Sequence, residues 1–116
     1  MRVIIAGGRD FMEYELLSEA CTDIFKNKEV TEIVSGCAKG ADKVGEKYAE
    51  VNNISIKKFP ADWNKYGKGA GYRRNNEMAD YADVLIAFWN GESKGTKNMI
   101  DLAIANKLEV HVVKYT

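Results

Sequence analysis

The 116-residue chain is poor in several residue types that mark specialised classes of protein. It has one proline, one histidine and two cysteines, and it contains no run of about 18 apolar residues and no basic-then-apolar leader. So few histidines and cysteines give neither a disulfide framework nor a recognisable metal site. Seventeen basic residues balance seventeen acidic ones, so no net field attracts nucleic acid or an anionic membrane. We therefore expect a reduced, cytoplasmic protein without metal, cofactor, membrane contact or nucleic-acid partner.

Short apolar runs recur along the chain, and each is followed by a helical pattern. The predicted strands are Val3–Ala6, Glu32–Ser35, Ile54–Phe59, Val84–Trp89 and Val110–Val113, and the predicted helices are Glu13–Lys26, Gly40–Asn52, Arg73–Tyr81 and Thr96–Asn106. This alternation over residues 1–116 predicts a single α/β domain. Its sheet is doubly wound, mainly parallel and five-stranded in the order 3-2-1-4-5, with helices on both faces.

Local features can also be predicted for two segments of the sequence. The alternating run Ile54–Phe59 is typical of an edge strand. The stretch Pro60–Gly71 holds the single proline and three glycines, so we expect an irregular, lid-like segment with no helix before Ala70. Cys21 falls on the apolar side of the first helix and is expected in the core.

Clusters of glycine and polar residues follow four of the predicted strands, and a parallel sheet brings such strand ends to one edge. The candidate ligand-binding residues in and beside these clusters are Gly7, Gly8, Arg9, Asp10, Gly36, Lys39, Gly40, Ala41, Asp42, Asp62, Trp63, Arg74, Asn75, Gly91, Lys94, Gly95 and Thr96. Glycine after a strand allows a tight turn and lets peptide N–H groups approach a phosphate. The sequence therefore predicts one crevice with a phosphate cradle at Gly91–Thr96.

Several of these residues have a second interpretation. Arg9 and Asp10 are suited to a phosphate and to ribose hydroxyls, or to a salt bridge with each other. Asp42 is suited to a ligand or to capping its own helix. An aromatic ring at Trp63 favours stacking on a base, whereas Trp89 favours the core. Arg74 opens the third helix, where a cation is poorly placed unless it faces an anion.

Taken as an ordered set, these motifs resemble the YspA-like branch of the SLOG superfamily. The segments that carry the resemblance are Gly7–Phe11, Gly36–Asp42, Pro60–Trp63, Ala70–Asn75 with Met78, Ala82–Phe88 and Gly95–Thr96. The resemblance spans nearly the whole chain. It implies a Rossmann-like fold and the binding of nucleotides or nucleotide-derived ligands at these loops. Relatives include the LOG phosphoribohydrolases, which release a base from a nucleoside 5′-monophosphate, and the DprA/Smf DNA-processing proteins.

The resemblance to the LOG enzymes extends to two segments and fails at two places, at residue 99 and at the opening of the loop, where Trp89–Glu92 replaces their proline and paired glycines. Arg74 with Met78 is similar to their arginine-containing helix, and Gly91–Thr96 resembles their glycine-rich phosphate loop. Those enzymes carry a catalytic glutamate three residues after the loop threonine, where this chain has Met99. A thioether cannot act as a base, so hydrolysis by that constellation would need Asp62 or Glu92 as the substitute.

The sequence leaves three functions open. The leading one is a sensor or sequestering protein for a nucleotide derivative such as an ADP-ribose-like molecule. The second is an N-glycosidic hydrolase of nucleoside monophosphates, with Asp62, Arg74 and Glu92 as catalytic candidates and with Asp10 or Asp42 as further acids. The third is a DNA-processing accessory module. Homo-oligomerisation is also expected, because Tyr48, Tyr72 and Tyr81 are placed to leave an apolar helical patch.

Overall fold

The computed structural model describes residues 1–116 as one parallel five-stranded sheet in the order β3-β2-β1-β4-β5. The strands are β1 (Arg2–Gly7), β2 (Glu32–Ser35), β3 (Ser55–Lys58), β4 (Val84–Trp89) and β5 (Glu109–Lys114). The helices are α1 (Tyr14–Ile24), α2 (Ala41–Val51), α3 (Trp63–Tyr66), α4 (Ala70–Tyr81) and α5 (Lys94–Ala105). This is an α/β Rossmann-like fold, and it confirms the predicted strand order.

The sheet separates two apolar cores, one on each face. Successive residues of β1 point to opposite sides, so Val3 packs with α1 and α2 whereas Ile4 packs with α4 and α5. Both side chains are fully buried. A strand covered on both faces must be apolar at every position, which explains the continuous hydrophobic runs of β1 and β4. Strand β3 lies at the edge, as its alternation predicts.

The segment after β3 is more ordered than its composition suggests. The prediction that no helix precedes Ala70 is wrong, because α3 forms at Trp63–Tyr66 and a 3₁₀ turn follows at Gly67–Gly69. The Asp62 carboxylate caps α3 by accepting from the Lys65 N–H at 3.0 Å, and Gly67 ends it with φ of 58°. Helix α4 then starts at Ala70, three residues before the predicted Arg73.

The expected tyrosine patch does not form. Tyr48 is buried in the core beside Cys21, and Tyr81 is half-buried, where its hydroxyl donates to Glu32. Of the three tyrosines only Tyr72 is exposed. Cys21 is fully buried, as predicted, and burial raises the pKa of its thiol to about 12. No helix combines the length and the apolar composition needed to cross a membrane.

Candidate functional site

A cleft of about 470 Å³ lies at the carboxyl end of the sheet, where the strand order reverses between β1 and β4. The sequence-predicted residues that line it are Gly7, Gly8, Arg9, Asp10, Asp42, Trp63, Arg74, Asn75, Gly95 and Thr96. A second cavity of about 450 Å³ adjoins it and adds the predicted residues Gly36 and Lys39. Four segments that are distant in sequence therefore meet at one edge.

Six of the predicted residues lie outside the lining of both cavities: Gly40, Ala41, Asp62, Gly91, Glu92 and Lys94. Gly40 and Ala41 support the site from beneath, since the Ala41 N–H donates to the Gly8 carbonyl at 3.1 Å. Asp62 caps α3, and Glu92 is exposed on the loop after β4. Two of the three proposed catalytic residues, Asp62 and Glu92, are therefore absent from the cleft wall.

The first loop turns tightly over the end of β1. The Gly8 N–H donates to the Phe88 carbonyl at 3.1 Å, and a Cβ on Gly7 would stand only 2.3 Å from the same oxygen. Asp10 accepts a 2.6 Å hydrogen bond from the Tyr115 hydroxyl, and it forms no ion pair with Arg9. Partial burial and this bond raise the pKa of Tyr115 to about 12. The guanidinium of Arg9 therefore stays available at the cleft.

The second loop places a carboxylate inside the cleft wall. Asp42 belongs to the first turn of α2, yet it accepts from the Ala38 N–H at 3.1 Å rather than from its own helix. Gly36 allows the close approach of Asp42 and Arg74, because a Cβ there would meet both side chains within 2.8 Å. The helix-capping interpretation of Asp42 is therefore wrong, and the residue braces the loop between β2 and α2.

Burial dominates the electrostatics of Asp42. The side chain is almost fully buried, and burial raises its pKa to about 6, while the Ala38 N–H and Arg74 act in the opposite direction. Burial also lowers the pKa of the Arg74 guanidinium, and the Asp42 charge opposes that shift. The cleft thus contains one carboxyl group that changes its charge near neutral pH.

The two adjacent arginines of α4 point in different directions. Arg73 is exposed and stacks its guanidinium 4.2 Å from the centre of the Tyr66 ring. Arg74 points inward, where it donates to the Gly36 carbonyl and, through Nε, to the Asn75 Oδ1 at 3.0 Å. Because α4 begins at Ala70, neither arginine opens the helix. The prediction that Arg74 does so is therefore wrong.

Asn75 continues this network to the loop after β4. Its Nδ2 donates to the Gly95 carbonyl at 3.3 Å and to the Asn98 Oδ1 at 2.9 Å. A chain of hydrogen bonds therefore runs from Gly36 through Arg74 and Asn75 to the start of α5. The loops after β2 and β4 are held in a fixed relation by two adjacent residues of α4.

The loop after β4 contains residues that the sequence interpretation missed. Helix α5 begins at Lys94, two residues before the predicted Thr96, and its cap is Ser93. The Ser93 Oγ accepts from the Thr96 N–H at 3.4 Å and from the Thr96 hydroxyl at 3.0 Å. A serine three residues before a threonine at an expected helix start is a capping signal that would have found it.

Aromatic and thioether side chains complete the cleft. Trp63 and Tyr72 line it and are each about half exposed, at 50% and 46%. Gly71 permits the tryptophan to lie against α4, because a Cβ there would stand 3.3 Å from the ring. Met99 is buried and contributes to the lining. Further lining residues outside the predicted set include Lys68, Met78, Asn90 and Ser93. Trp89 packs against the core between β4 and α5, as expected.

A doubly wound sheet with a cleft at its reversal point, lined by both basic and acidic side chains, defines a ligand-binding α/β domain. Comparison with known proteins makes the class more specific. Residues 1–66 match the family described as YspA, cpYpsA-related SLOG. The chain is also similar to the Gene 61 protein of Mycobacterium phage D29, with 32% identity over 121 residues that cover 98% of this chain and 95% of that protein. The chain belongs to the YspA, cpYpsA-related SLOG family, and this membership indicates a nucleotide-related function.

Proposed function

We propose that the cleft binds a nucleotide or nucleotide-derived ligand and that the protein acts as a sensor or sequestering protein. The observation that carries the proposal is the convergence of phosphate-binding and base-stacking groups on one cavity. Arg9, Lys68 and Arg74 line it together with the start of α5 and the half-exposed rings of Trp63 and Tyr72. Its volume of about 470 Å³ lies within the usual range for small-molecule sites.

Each part of a nucleotide has a chemical counterpart in the cleft. Arg74 keeps guanidinium N–H groups free after its two protein hydrogen bonds, and the start of α5 favours an anion. Asp42 is suited to accept from ribose hydroxyls when ionised. The half-exposed rings of Trp63 and Tyr72 offer faces for a base. The ligand is therefore expected to lie across the reversal point, with its base toward α3 and α4.

Binding without turnover is favoured by the residue at position 99. In the LOG enzymes that this chain resembles, the corresponding position carries the catalytic glutamate. Here Met99 lines the cleft and supplies neither a proton nor a negative charge. The exposed Glu92 and the capping Asp62 are poorly placed to substitute, because neither lines the cleft.

One observation keeps hydrolysis as a second candidate. Asp42 is a buried carboxyl group in the cleft wall whose pKa of about 6 suits acid or base chemistry near neutral pH. If the protein hydrolyses an N-glycosidic bond, Asp42 is the expected acid or base and Arg74 is expected to hold the phosphate. Asp42→Asn would then abolish release of the base, whereas Asp62→Asn would leave it unchanged.

A thermal-shift panel with product analysis tests the proposal. AMP, ADP-ribose and adenosine are added to the wild-type protein, to Arg74→Ala and to Arg73→Ala, and the mixtures are then separated by chromatography. The phosphorylated ligands should raise the melting temperature of the wild type and of Arg73→Ala but not of Arg74→Ala. Recovery of intact ligand supports a sensor or sequestering protein, and a free base with a sugar phosphate supports the enzyme. An absence of any shift, or equal loss in both variants, contradicts nucleotide binding at this cleft.

A further inference from the structure

The carboxylate of Asp42 is almost fully buried, yet one of its oxygens is open to the cleft. The side chain is 5% exposed and lines the cleft wall. Its Oδ2 accepts from the Ala38 N–H at 3.1 Å, and its Oδ1 accepts no hydrogen bond from the protein. No fully buried side-chain oxygen or nitrogen of the chain lacks a partner, so Oδ1 reaches the cleft. This oxygen is therefore available to a bound ligand.

Arg74 lies close to this carboxylate without pairing with it. The Arg74 Nη1 and the Asp42 Oδ2 each lie within 2.8 Å of the point that a Cβ on Gly36 would occupy. Arg74 nevertheless donates to the Gly36 carbonyl and to the Asn75 Oδ1, and it forms no salt bridge with Asp42. A buried charge without an ion-pair partner is unfavourable, which is why burial raises the pKa of Asp42 to about 6.

The other charged and titratable groups of the site do not reverse this effect. They lie on α2, on α4, on the 3₁₀ turn before it and on the loops after β1 and β2, and they are Lys43, Glu46, Tyr72, Arg74, Lys68, Arg9, Asp10, Cys37 and Lys39. The charges of Arg74 and Lys43 lower the pKa of Asp42 and that of Glu46 raises it, but burial outweighs all three. The single histidine, His111, lies on β5 and lines neither cavity. A negative ligand in the cleft would act in the same direction as burial.

We propose that the cleft binds a phosphate-bearing ligand together with one proton, which is taken from solvent and held on Asp42. This inference rests on the proposed function, in which Arg74 binds a phosphate. Phosphate oxygens beside Arg74 repel an ionised Asp42, whereas the protonated carboxyl donates its O–H to them and keeps its carbonyl oxygen as an acceptor for a ribose hydroxyl. The bound state then holds more protons than the free protein, so affinity rises as the pH falls.

Titration calorimetry with ADP-ribose between pH 5 and pH 8 tests this coupling, because its diphosphate does not change ionisation in that range. The wild type should bind about tenfold more tightly at pH 5 than at pH 8, the ratio expected if the ligand raises the Asp42 pKa from about 6 to about 7. Asp42→Asn should bind equally at both pH values. Asp10→Asn is the matched control, because it removes the cleft carboxylate that already accepts from Tyr115, and it should keep the tenfold ratio.

Proton uptake by the wild type gives a second measurement that needs no variant. The titration is repeated near pH 6.5 in two buffers that differ in ionisation enthalpy, and about half a proton should be taken up per ligand bound. An affinity that is constant or falls on acidification, an absence of proton uptake, a ratio that persists in Asp42→Asn, or one that is lost in Asp10→Asn overturns the coupling and leaves nucleotide binding at the cleft intact. If ADP-ribose binds at no pH, the proposed function is contradicted as well.

Discussion

Individual side chains of the cleft divide into those already bonded by the protein and those open to a ligand. Asp10 is bonded to Tyr115 and Asp42 to the Ala38 N–H, whereas Arg9 has no protein partner. The sequence predicted that these residues converge, because their strand ends share an edge. It could not decide between the alternative partners of each, since a hydrogen bond to a residue 105 positions away leaves no local pattern.

Local sequence was likewise insufficient to predict which of Arg73 and Arg74 faces the cleft. Adjacent helical residues point about 100° apart, so only one of them faces the cleft. Which one does so depends on where α4 begins and how it packs. The short helix α3 and the 3₁₀ turn set that start, and the glycine-rich sequence there indicated no helix at all.

The buried Asp42 predicts a pH-dependent stability that Asp42→Asn removes. Because the folded pKa of about 6 exceeds the unfolded value of about 4, the native state holds more protons between these pH values. Asp42 therefore destabilises the fold as pH rises through that window, by up to about 3 kcal/mol above pH 6. Asparagine keeps an acceptor for the Ala38 N–H. Urea unfolding should show Asp42→Asn more stable than the wild type at pH 7 and equal to it near pH 4.

The difference in unfolding free energy between Asp42→Asn and the wild type reports on Asp42 alone, since all other titratable groups are present in both proteins. A difference that does not change with pH would contradict the raised pKa. So would a difference that grows on acidification.

Among the secondary-structure elements, the strands and their order were predictable, and the starts of α1 and α2 were predicted to within one residue, but the starts of α4 and α5 were not. Strands β2 and β4 match their predicted bounds, because continuous apolar runs bounded by turn residues leave little choice. Helices α4 and α5 begin two or three residues early, since local capping and packing set these starts. The cleft is built from helix starts, so its polar detail was the least predictable part of the fold.

Gly40 is expected to be essential for the contact between the first two loops. Its φ is 81°, and a Cβ would stand 2.2 Å from the Gly8 carbonyl oxygen, which is backbone and cannot move aside cheaply. Gly40→Ala should cost at least about 2 kcal/mol of unfolding free energy. Gly95→Ala is the control, because nothing lies within 4 Å of that Cβ and its φ is not positive. Denaturant unfolding should place Gly95→Ala within about 1 kcal/mol of the wild type, and similar costs in both would contradict the geometry.

Removal of the α5 cap should loosen the start of that helix. Ser93→Ala deletes the acceptor of the Thr96 N–H and hydroxyl, so a loss of about 1 kcal/mol is expected. Ser55→Ala on the exposed edge strand β3 serves as the control and should be nearly neutral. The measurement is the free energy of unfolding in urea. A neutral Ser93→Ala would show that the cap does not stabilise α5.

For the whole molecule, the alternation of strands and helices was enough to predict the architecture. Two buried faces per central strand and right-handed crossovers leave few arrangements for five strands, and the order 3-2-1-4-5 is confirmed. Self-association could not be predicted from the order of the elements, because it depends on which side chains remain exposed in the fold. Burial of Tyr48 removes the patch on which the oligomer prediction was based.

Homo-oligomerisation stays a prediction. Exposed apolar side chains remain at Trp63 and Tyr72 by the cleft and at Ile104 and Val112 on the β5 side. Light scattering during size-exclusion chromatography at micromolar concentration should give at least twice the monomer mass of 13.0 kDa. A monomeric mass under these conditions would contradict it.

Amide chemical-shift mapping would show whether the four loops at one edge of the sheet form a single nucleotide site. A ¹⁵N-labelled sample of the 116-residue chain is titrated with ADP-ribose. The chemical-shift changes are expected to cluster at residues 7–10, 36–42, 63–75 and 93–96. Shifts confined to the opposite edge of the sheet, or none at all at millimolar ligand, would contradict it.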